Sequence, residues 1–265
     1  MTSPQTLVLI TGPSFSNPKT RTTKLTQTQG ANQGIGFEAA KNLLLSSATH
    51  HILLGSRDIS KGEAAVAALK SLPIKGTVTA LQIDITSDTS VDAAARHVKK
   101  TYSRLDIVVN NAGIGSQHTP SLRDAMREVF NTNVAGSVSV TEAFLPLLYQ
   151  SASTAPRLIF VGSTTGSITM ASDPNGPLHG GGAMDYRTSK AALNMVIVLY
   201  HNRLENEGIK VIGLNPGLIA TNFHGVGRRP GSEPELGGER LASAVRGERD
   251  EFVGRVWGAN GVLPW

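Results

Sequence analysis

Short β-branched or apolar runs recur along the chain at Thr6–Thr11, His51–Gly55, Thr77–Ile83, Leu105–Asn110, Arg157–Val161 and Lys210–Leu214, each bounded by turn residues. Between them the apolar positions fall at helical spacing, near Phe37–Ser47, Ser60–Leu72, Ser90–Tyr102, Ser121–Tyr149 and Met184–Glu207. The two periods alternate, which predicts βαβ units. The expected fold class is α/β: a single-domain, doubly wound parallel sheet with helices on both faces, its ligands at the carboxyl ends of the strands. A seventh strand is expected near Phe252–Trp257, and with no internal repeat or linker residues 1–265 read as one domain.

Residues 13–30 break the pattern. The segment PSFSNPKTRTTKLTQTQG holds five Thr, two Pro and no period of 2 or 3.6, so it reads as a disordered insertion. It falls at the first strand-to-helix turn, where such folds carry only a few residues. Removing these 18 residues rejoins the flanks as Leu-Val-Leu-Ile-Thr-Gly-Ala-Asn-Gln-Gly-Ile-Gly, a compact phosphate-binding turn. The segment is therefore read as a retained short intron or gene-model error, with a tolerated surface insertion as the alternative.

Composition narrows the function classes. Of the 265 residues, 40% are hydrophobic and 17% charged, which suits a folded globular chain. The absence of cysteine removes disulfides, thiolate metal sites and a cysteine nucleophile. The net charge of +5 invites a nucleic-acid reading, but Lys19, Arg21 and Lys24 lie in the odd segment without an acid, leaving +2 elsewhere. No basic stripe with interleaved aromatics occurs, so neither nucleic acid nor, for want of a long apolar run, a membrane is an expected partner. Met1–Gln5 lacks a basic leader, and a cytoplasmic location is the expectation.

Gly30-Ala31-Asn32-Gln33-Gly34-Ile35-Gly36 leads into a helix, where glycines permit a tight turn and let backbone N–H groups approach a pyrophosphate. Either Gly12 or Gly30 fills the first glycine position, with Gly30 favoured. Downstream stand Asn110-Asn111-Ala112-Gly113, Asn133, Ser163, Tyr186 with Lys190, and Pro216-Gly217. With these motifs in this order, most of the chain resembles the short-chain dehydrogenase/reductase family, of the NADP-dependent carbonyl-reductase kind with a Rossmann fold. The odd segment and a long stretch between serine and tyrosine, Thr164–Asp185, depart from the family pattern.

The catalytic set also stands on its own chemistry. Tyr186 and Lys190 are four apart and share one helix face. A free tyrosine has a pKa near ~10, and a neighbouring ammonium is expected to lower it towards useful acid–base chemistry. Ser163 closes a strand as Tyr186 opens a helix at the same sheet edge, where a hydroxyl can stabilise a developing alkoxide. The resemblance implies the roles: Tyr186 as general acid/base, Ser163 orienting substrate, Lys190 binding ribose and tuning Tyr186, and Asn133 holding a relay water. A plain helix-bending role is the alternative for Asn133.

For the cofactor, Arg57 follows the second strand where an acid would read a ribose 2′-hydroxyl, so NADP(H) is favoured over NAD(H). Asp58 is left either to pair with Arg57 or to face solvent. The resemblance places Asp84 and Ile85 at the adenine, Asn111 and Gly113 beside its ribose, and Pro216, Gly217, Ile219 and Thr221 at the nicotinamide. A cap on the helix starting near Ser87 is the alternative for Asp84. His50, His51 and His179 lack partners at metal-ligand spacing, so no metal is expected. Ala191, Ala192, Met195, Val196 and Leu199 read mostly as core, and in relatives this helix packs across a homodimer or homotetramer interface. Residues 173–183 and 222–238 are the expected mobile substrate-side loops. The function reads as hydride transfer between NADP(H) and a ketone or aldehyde, or its alcohol. The alternative is a catalytically silent or sensor-type dinucleotide-binding protein whose phosphate turn residues 13–30 disrupt.

Overall fold

The structure is a computed structural model, and it describes residues 5–12, 34–115, 121–220 and 231–265. Strands β1 (Thr6–Thr11), β2 (His50–Ser56), β3 (Thr77–Gln82), β4 (Ile107–Asn110), β5 (Arg157–Val161), β6 (Lys210–Leu214), β7 (Val256–Gly258) and β8 (Gly261–Val262) form one sheet in the order 3-2-1-4-5-6-7-8. The first seven pair in parallel, and β8 turns back antiparallel on β7.

The central strands are largely apolar because both faces are covered, whereas the edge strand β3 alternates exposed Thr77, Thr79 and Gln82 with buried Val78 and Leu81. In β1, Leu7 and Leu9 point to one face and Val8 and Ile10 to the other, as period-2 geometry requires. The first face packs on α3 (Asp88–Tyr102), α5 (Ser137–Leu148) and α7 (Met184–Leu204). The second packs on α1 (Ile35–Ser46), α2 (Ile59–Lys70) and α8 (Pro234–Val245). After β3 the chain crosses back to the far side of β1, so a crevice opens at the carboxyl ends of β1 and β4, the topological switch point.

Four features correct or refine the sequence expectations. The stretch Ser121–Tyr149 is not one helix: α4 (Leu122–Phe130) passes through a π-helical turn at Asn131–Gly136 into α5. Short α6 (Ile168–Ser172) interrupts the long serine-to-tyrosine stretch. Within the expected loop 222–238, Pro234 onward is already α8, and its Gly237 and Gly238 are buried against α1. On α7 the buried stripe is Ser189, Lys190, Leu193, Asn194, Ile197, Tyr200 and Leu204. Met195 and Leu199, expected as core, are each 59% exposed.

One buried charge ties the amino-terminal edge of the sheet together. Asp106, 1% exposed, accepts hydrogen bonds from the Leu7 N–H (2.7 Å), the Ser151 hydroxyl (2.6 Å) and the Ala152 N–H (3.0 Å), and pairs with Arg104. Burial pushes its carboxyl up, but these hydrogen bonds and the guanidinium outweigh it and hold the pKa below the ordinary value.

Candidate active site

Glycines shape the cleft at the switch point. Gly12 ends β1 with its N–H bonded to the Gly55 carbonyl at 3.1 Å, and a Cβ there would lie 2.7 Å from that oxygen. Gly34 is the N-cap of α1 and supplies no side-chain cap. The first N–H groups of the helix therefore lack intrahelical partners, as every helix start does. A Cβ on Gly36 would lie 2.7 Å from Asn111 Nδ2 and 3.2 Å from Ile10 Cγ2, so only glycine lets α1 start this close to the sheet. Gly12, Gly34, Gly36, Gly55, Ser56 and Lys61 line the resulting cleft. Bare backbone on several sides and an uncapped helix start fit a diphosphate. Gly30, the expected first glycine, lies outside the described residues, whereas Gly12 lines the cleft.

Lys61 lines the β2 end of the cleft, and Arg57 follows the lining residue Ser56. Arg57 follows β2 half-buried, and among the described residues it has no ion-pair partner. Asp58 neither pairs with it nor simply faces solvent. Its carboxylate caps α2 by accepting the Ser60 and Lys61 N–H groups at 3.0 and 3.3 Å. Lys61 is a cleft residue that sequence reasoning missed; Asp58 as an N-cap, with Lys61 three residues on, was the available signal. Asp84 accepts from the Thr86 N–H (3.0 Å) and hydroxyl (2.7 Å), while Ser87 caps α3. Ile85 is buried, and its carbonyl would lie 2.8 Å from a Cβ on Gly136. The Asn111 amide is spent on holding strand ends together: its Nδ2 donates to the Thr11 carbonyl at 2.7 Å.

The structure brings the proposed catalytic residues to one place. Ser163 follows β5 and caps the 3-10 turn Thr164–Gly166. Its hydroxyl bonds the Thr165 hydroxyl at 2.9 Å and stands beside Tyr186 of the first turn of α7, near enough to oppose the rise in the phenol's pKa. Lys190 Nζ lies 5.7 Å from the Tyr186 ring centroid and donates to the Val161 carbonyl at 2.8 Å. A Cβ on Gly113 would lie 3.2 Å from Asn133 Oδ1 and 3.7 Å from Lys190 Nζ, so the end of β4, the π-helical turn and α7 converge here. Asn133, 1% exposed, accepts the Ile114 N–H at 2.8 Å. It donates in turn to the Ile114 carbonyl (2.9 Å) and the Ser189 hydroxyl (3.0 Å). Its side chain is thus fully engaged with protein, and it also sits where the helix bends.

The electrostatics differ from the simple expectation that Lys190 lowers Tyr186. Burial pushes the Tyr186 phenol up to about 12, with the Ser163 hydrogen bond opposing, and pulls Lys190 down to about 8. Both shifts have the same cause, since desolvation disfavours the charged form of each group.

Beyond β6, Gly217 has φ +91°, and its N–H donates to Asn215 Oδ1 at 3.2 Å. Ile219 forms a parallel bridge with Ser232, made by the Ala220 N–H (2.9 Å) and the Leu218 carbonyl (2.9 Å). Parallel geometry turns the N–H and C=O of Ile219 itself away from Ser232, to the other side of the segment. Arg240 donates to the Pro216 carbonyl from α8. Thr221 and residues 222–230 of the expected substrate-side loop lie outside the described residues. His51 is engaged by the hydroxyls of Thr77 (2.6 Å) and Tyr102 (3.1 Å), and His50 is buried. Among the described residues no helix is long and apolar enough to cross a membrane.

The doubly wound sheet and its glycine-lined cleft define a dinucleotide-binding α/β protein. A family model for short chain dehydrogenases matches residues 26–229. The short-chain dehydrogenase/reductase tropE of Talaromyces stipitatus is 35% identical over 248 residues, covering 86% of this chain and 92% of that one. The short-chain dehydrogenase anuI of Penicillium roqueforti is 36% identical over 238 residues, covering 86% and 90%. The fold is also that of an NADPH-bound carbonyl reductase from chicken fatty liver, with a TM-score of 0.76 at 24% identity, covering 99% of this chain and 95% of that one. The chain belongs to the short-chain dehydrogenase/reductase family. It is an oxidoreductase of that type, with a nicotinamide dinucleotide as the cofactor the fold implies.

Proposed function

We propose that the chain is an NADPH-dependent carbonyl reductase in which Tyr186 is the general acid. The observation that carries this reading is the convergence of Ser163, Tyr186 and Lys190 at the carboxyl edge of the sheet, with Lys190 Nζ 5.7 Å from the Tyr186 ring centroid. Gly12, Gly34, Ile35 and Gly36 would hold the pyrophosphate, and Asp84, Ile85 and Gly113 would lie along the adenosine. Pro216, Gly217, Ile219 and Thr221 would lie along the nicotinamide, with Asn111 acting by holding the strand ends. Arg57 and Lys61 favour NADPH, because Asp58 is committed to α2 and leaves both cations available for a 2′-phosphate.

The bound dinucleotide supplies the hydride. The protein's part is to hold a proton at the Tyr186 oxygen and a hydroxyl at Ser163, both aimed at the substrate oxygen. Burial keeps Tyr186 a phenol, so at neutral pH it is ready to donate in the reductive direction. Lys190, fixed by the Val161 carbonyl, would meet the ribose with its Nζ and answer charge developing on Tyr186. Asn133 sets the end of β4 against α7. The 13–30 segment is read as an interruption of the phosphate turn, supported by the family match beginning inside it, at residue 26. The exposed stripe of Met184, Met195 and Leu199 supports self-association through α7. Turnover of 9,10-phenanthrenequinone with NADPH tests the reading. Tyr186→Phe is expected to lower kcat by about 10²–10⁴ while NADPH still binds, and a variant retaining full kcat would overturn it.

A further inference from the structure

Residues 173–183 follow α6, ten residues beyond Ser163, and end three residues before Tyr186, so the segment lies in the connection between the two. The segment has little packing of its own. Cβ atoms built on Gly180, Gly181 and Gly182 would meet nothing within 4 Å. Its internal bonds are local: Asp173 accepts the Asn175 N–H at 2.9 Å and the Gly176 N–H at 3.0 Å, and the His179 N–H reaches the Gly176 carbonyl at 3.1 Å. It then enters α7 through Ala183, a non-glycine residue with φ +51° and no side-chain cap to offer.

What holds it is Arg187, the residue after Tyr186. One guanidinium nitrogen donates to the Gly180 carbonyl at 2.8 Å and the other to the Leu178 carbonyl at 2.7 Å. Among the described residues, these are the hydrogen bonds that fasten residues 173–182 to the rest of the fold. A planar, permanently charged fork spans two carbonyls in a way that a single ammonium cannot.

We propose that Arg187 is a positioning residue that latches the 173–183 segment to the catalytic helix and so sets the substrate-side wall of the site. The proposal rests on the carbonyl-reductase reading for its substrate consequence, but the latch itself does not. The latch places the segment's register under the control of the helix that carries Tyr186. Losing it frees the wall without touching the glycine cleft. The expected penalty falls on KM, more for a bulky ketone than a small one, and neither on kcat nor on NADPH affinity.

The test pairs two readouts on wild type, Arg187→Ala and Arg187→Lys. Hydrogen exchange followed by mass spectrometry is expected to speed at least about tenfold within 173–183 in Arg187→Ala, since two charge-assisted hydrogen bonds are lost. Peptides from α4 and β5 should exchange as before, and Arg187→Lys should fall between. Steady-state kinetics with 9,10-phenanthrenequinone and 2,3-butanedione should show KM rising for the tricyclic quinone, with the NADPH dissociation constant held. Unchanged exchange in 173–183 overturns the latch. Faster exchange with unchanged KM, or a loss confined to kcat, overturns its substrate role. A wild type that reduces neither ketone overturns the reductase reading and the substrate role with it, while exchange still decides the latch. If Arg187→Ala does not fold, Arg187→Lys carries both measurements.

Discussion

Replacing Arg57 by Ala is expected to weaken NADPH binding and leave NADH binding unchanged. The magnitude follows from the surroundings of the two cleft cations. Asp58 spends its carboxylate on the Ser60 and Lys61 N–H groups, so Arg57 has no carboxylate to leave before meeting a phosphate. Arg57 is half-buried, and a hydrogen bond from a charged group in that setting contributes about 1.5–3 kcal/mol. At about 2 kcal/mol the NADPH dissociation constant rises roughly 30-fold. Lys61 is exposed at the start of α2, so its pairing is worth about 0.2–1 kcal/mol and its removal costs only a few-fold. The double variant should bring NADPH affinity close to that for NADH. Nicotinamide fluorescence titrations with both cofactors at two salt concentrations measure this, and the NADPH advantage should shrink at the higher salt as the exposed lysine is screened. An Arg57→Ala protein that binds NADPH within threefold of wild type would refute the assignment of these cations to a 2′-phosphate.

Asp106→Asn is expected to destabilise the fold by about 3 kcal/mol, because the half-buried Arg104 and several N–H groups lose a buried charged acceptor. The folded-state pKa of Asp106 lies below its ordinary value, so its contribution is complete above the unfolded carboxylate range and drains as pH falls through the lower folded value. Urea unfolding from pH 7 down to pH 3 should therefore show a shallower acid decline in the variant; parallel curves would remove Asp106 from the acid limb. For α7, Leu199→Glu is expected to convert an oligomer into monomer in light scattering, since Met195 and Leu199 are each 59% exposed on the same face. A wild type that already runs as a monomer would end that reading.

Alternating periods made the sheet and most helices legible, because strands covered on both faces must be apolar throughout and their crossovers amphipathic. The placement of the proposed catalytic residues was legible too, since Tyr186 and Lys190 are one helical turn apart and Ser163 follows a strand. What escaped has identifiable causes. Helix α6 has five residues and none buried, so it carries no period. Strand β8 has two residues and reads as part of a turn. Helix α8 hides behind Gly237-Gly238, which read as loop but are glycines because a Cβ on Gly238 would lie 2.4 Å from that of Glu38 in α1. The stripe on α7 was misassigned by about one residue in register, which rotates a helix face by 100° and exchanges Leu199 for Tyr200. The protonation states were beyond sequence altogether. Spacing brings Tyr186 and Lys190 together, but only the packing around them shows that burial pushes the phenol up and the ammonium down.

The first turn offers a sharper test of what the chain as given can do. Gly12 and Gly34 line one cleft, although 21 residues separate them in sequence. Deleting Pro13–Gly30 leaves Ala31-Asn32-Gln33 as the whole connection, the length such a turn needs. Shortening a closed connection sevenfold recovers about 2 kcal/mol of loop-closure entropy. The strand and helix it joins already meet in the described structure, so that gain should appear as stability in urea unfolding without a change of fold. The same shortening confines the backbone that faces the diphosphate, and NADPH affinity should rise with it because less ordering remains to be done on binding. A deletion that gains stability but not affinity would show that the phosphate groups are held by Gly34–Gly36 and the helix start alone. One that gains neither would make residues 13–30 a surface insertion the fold tolerates at no cost.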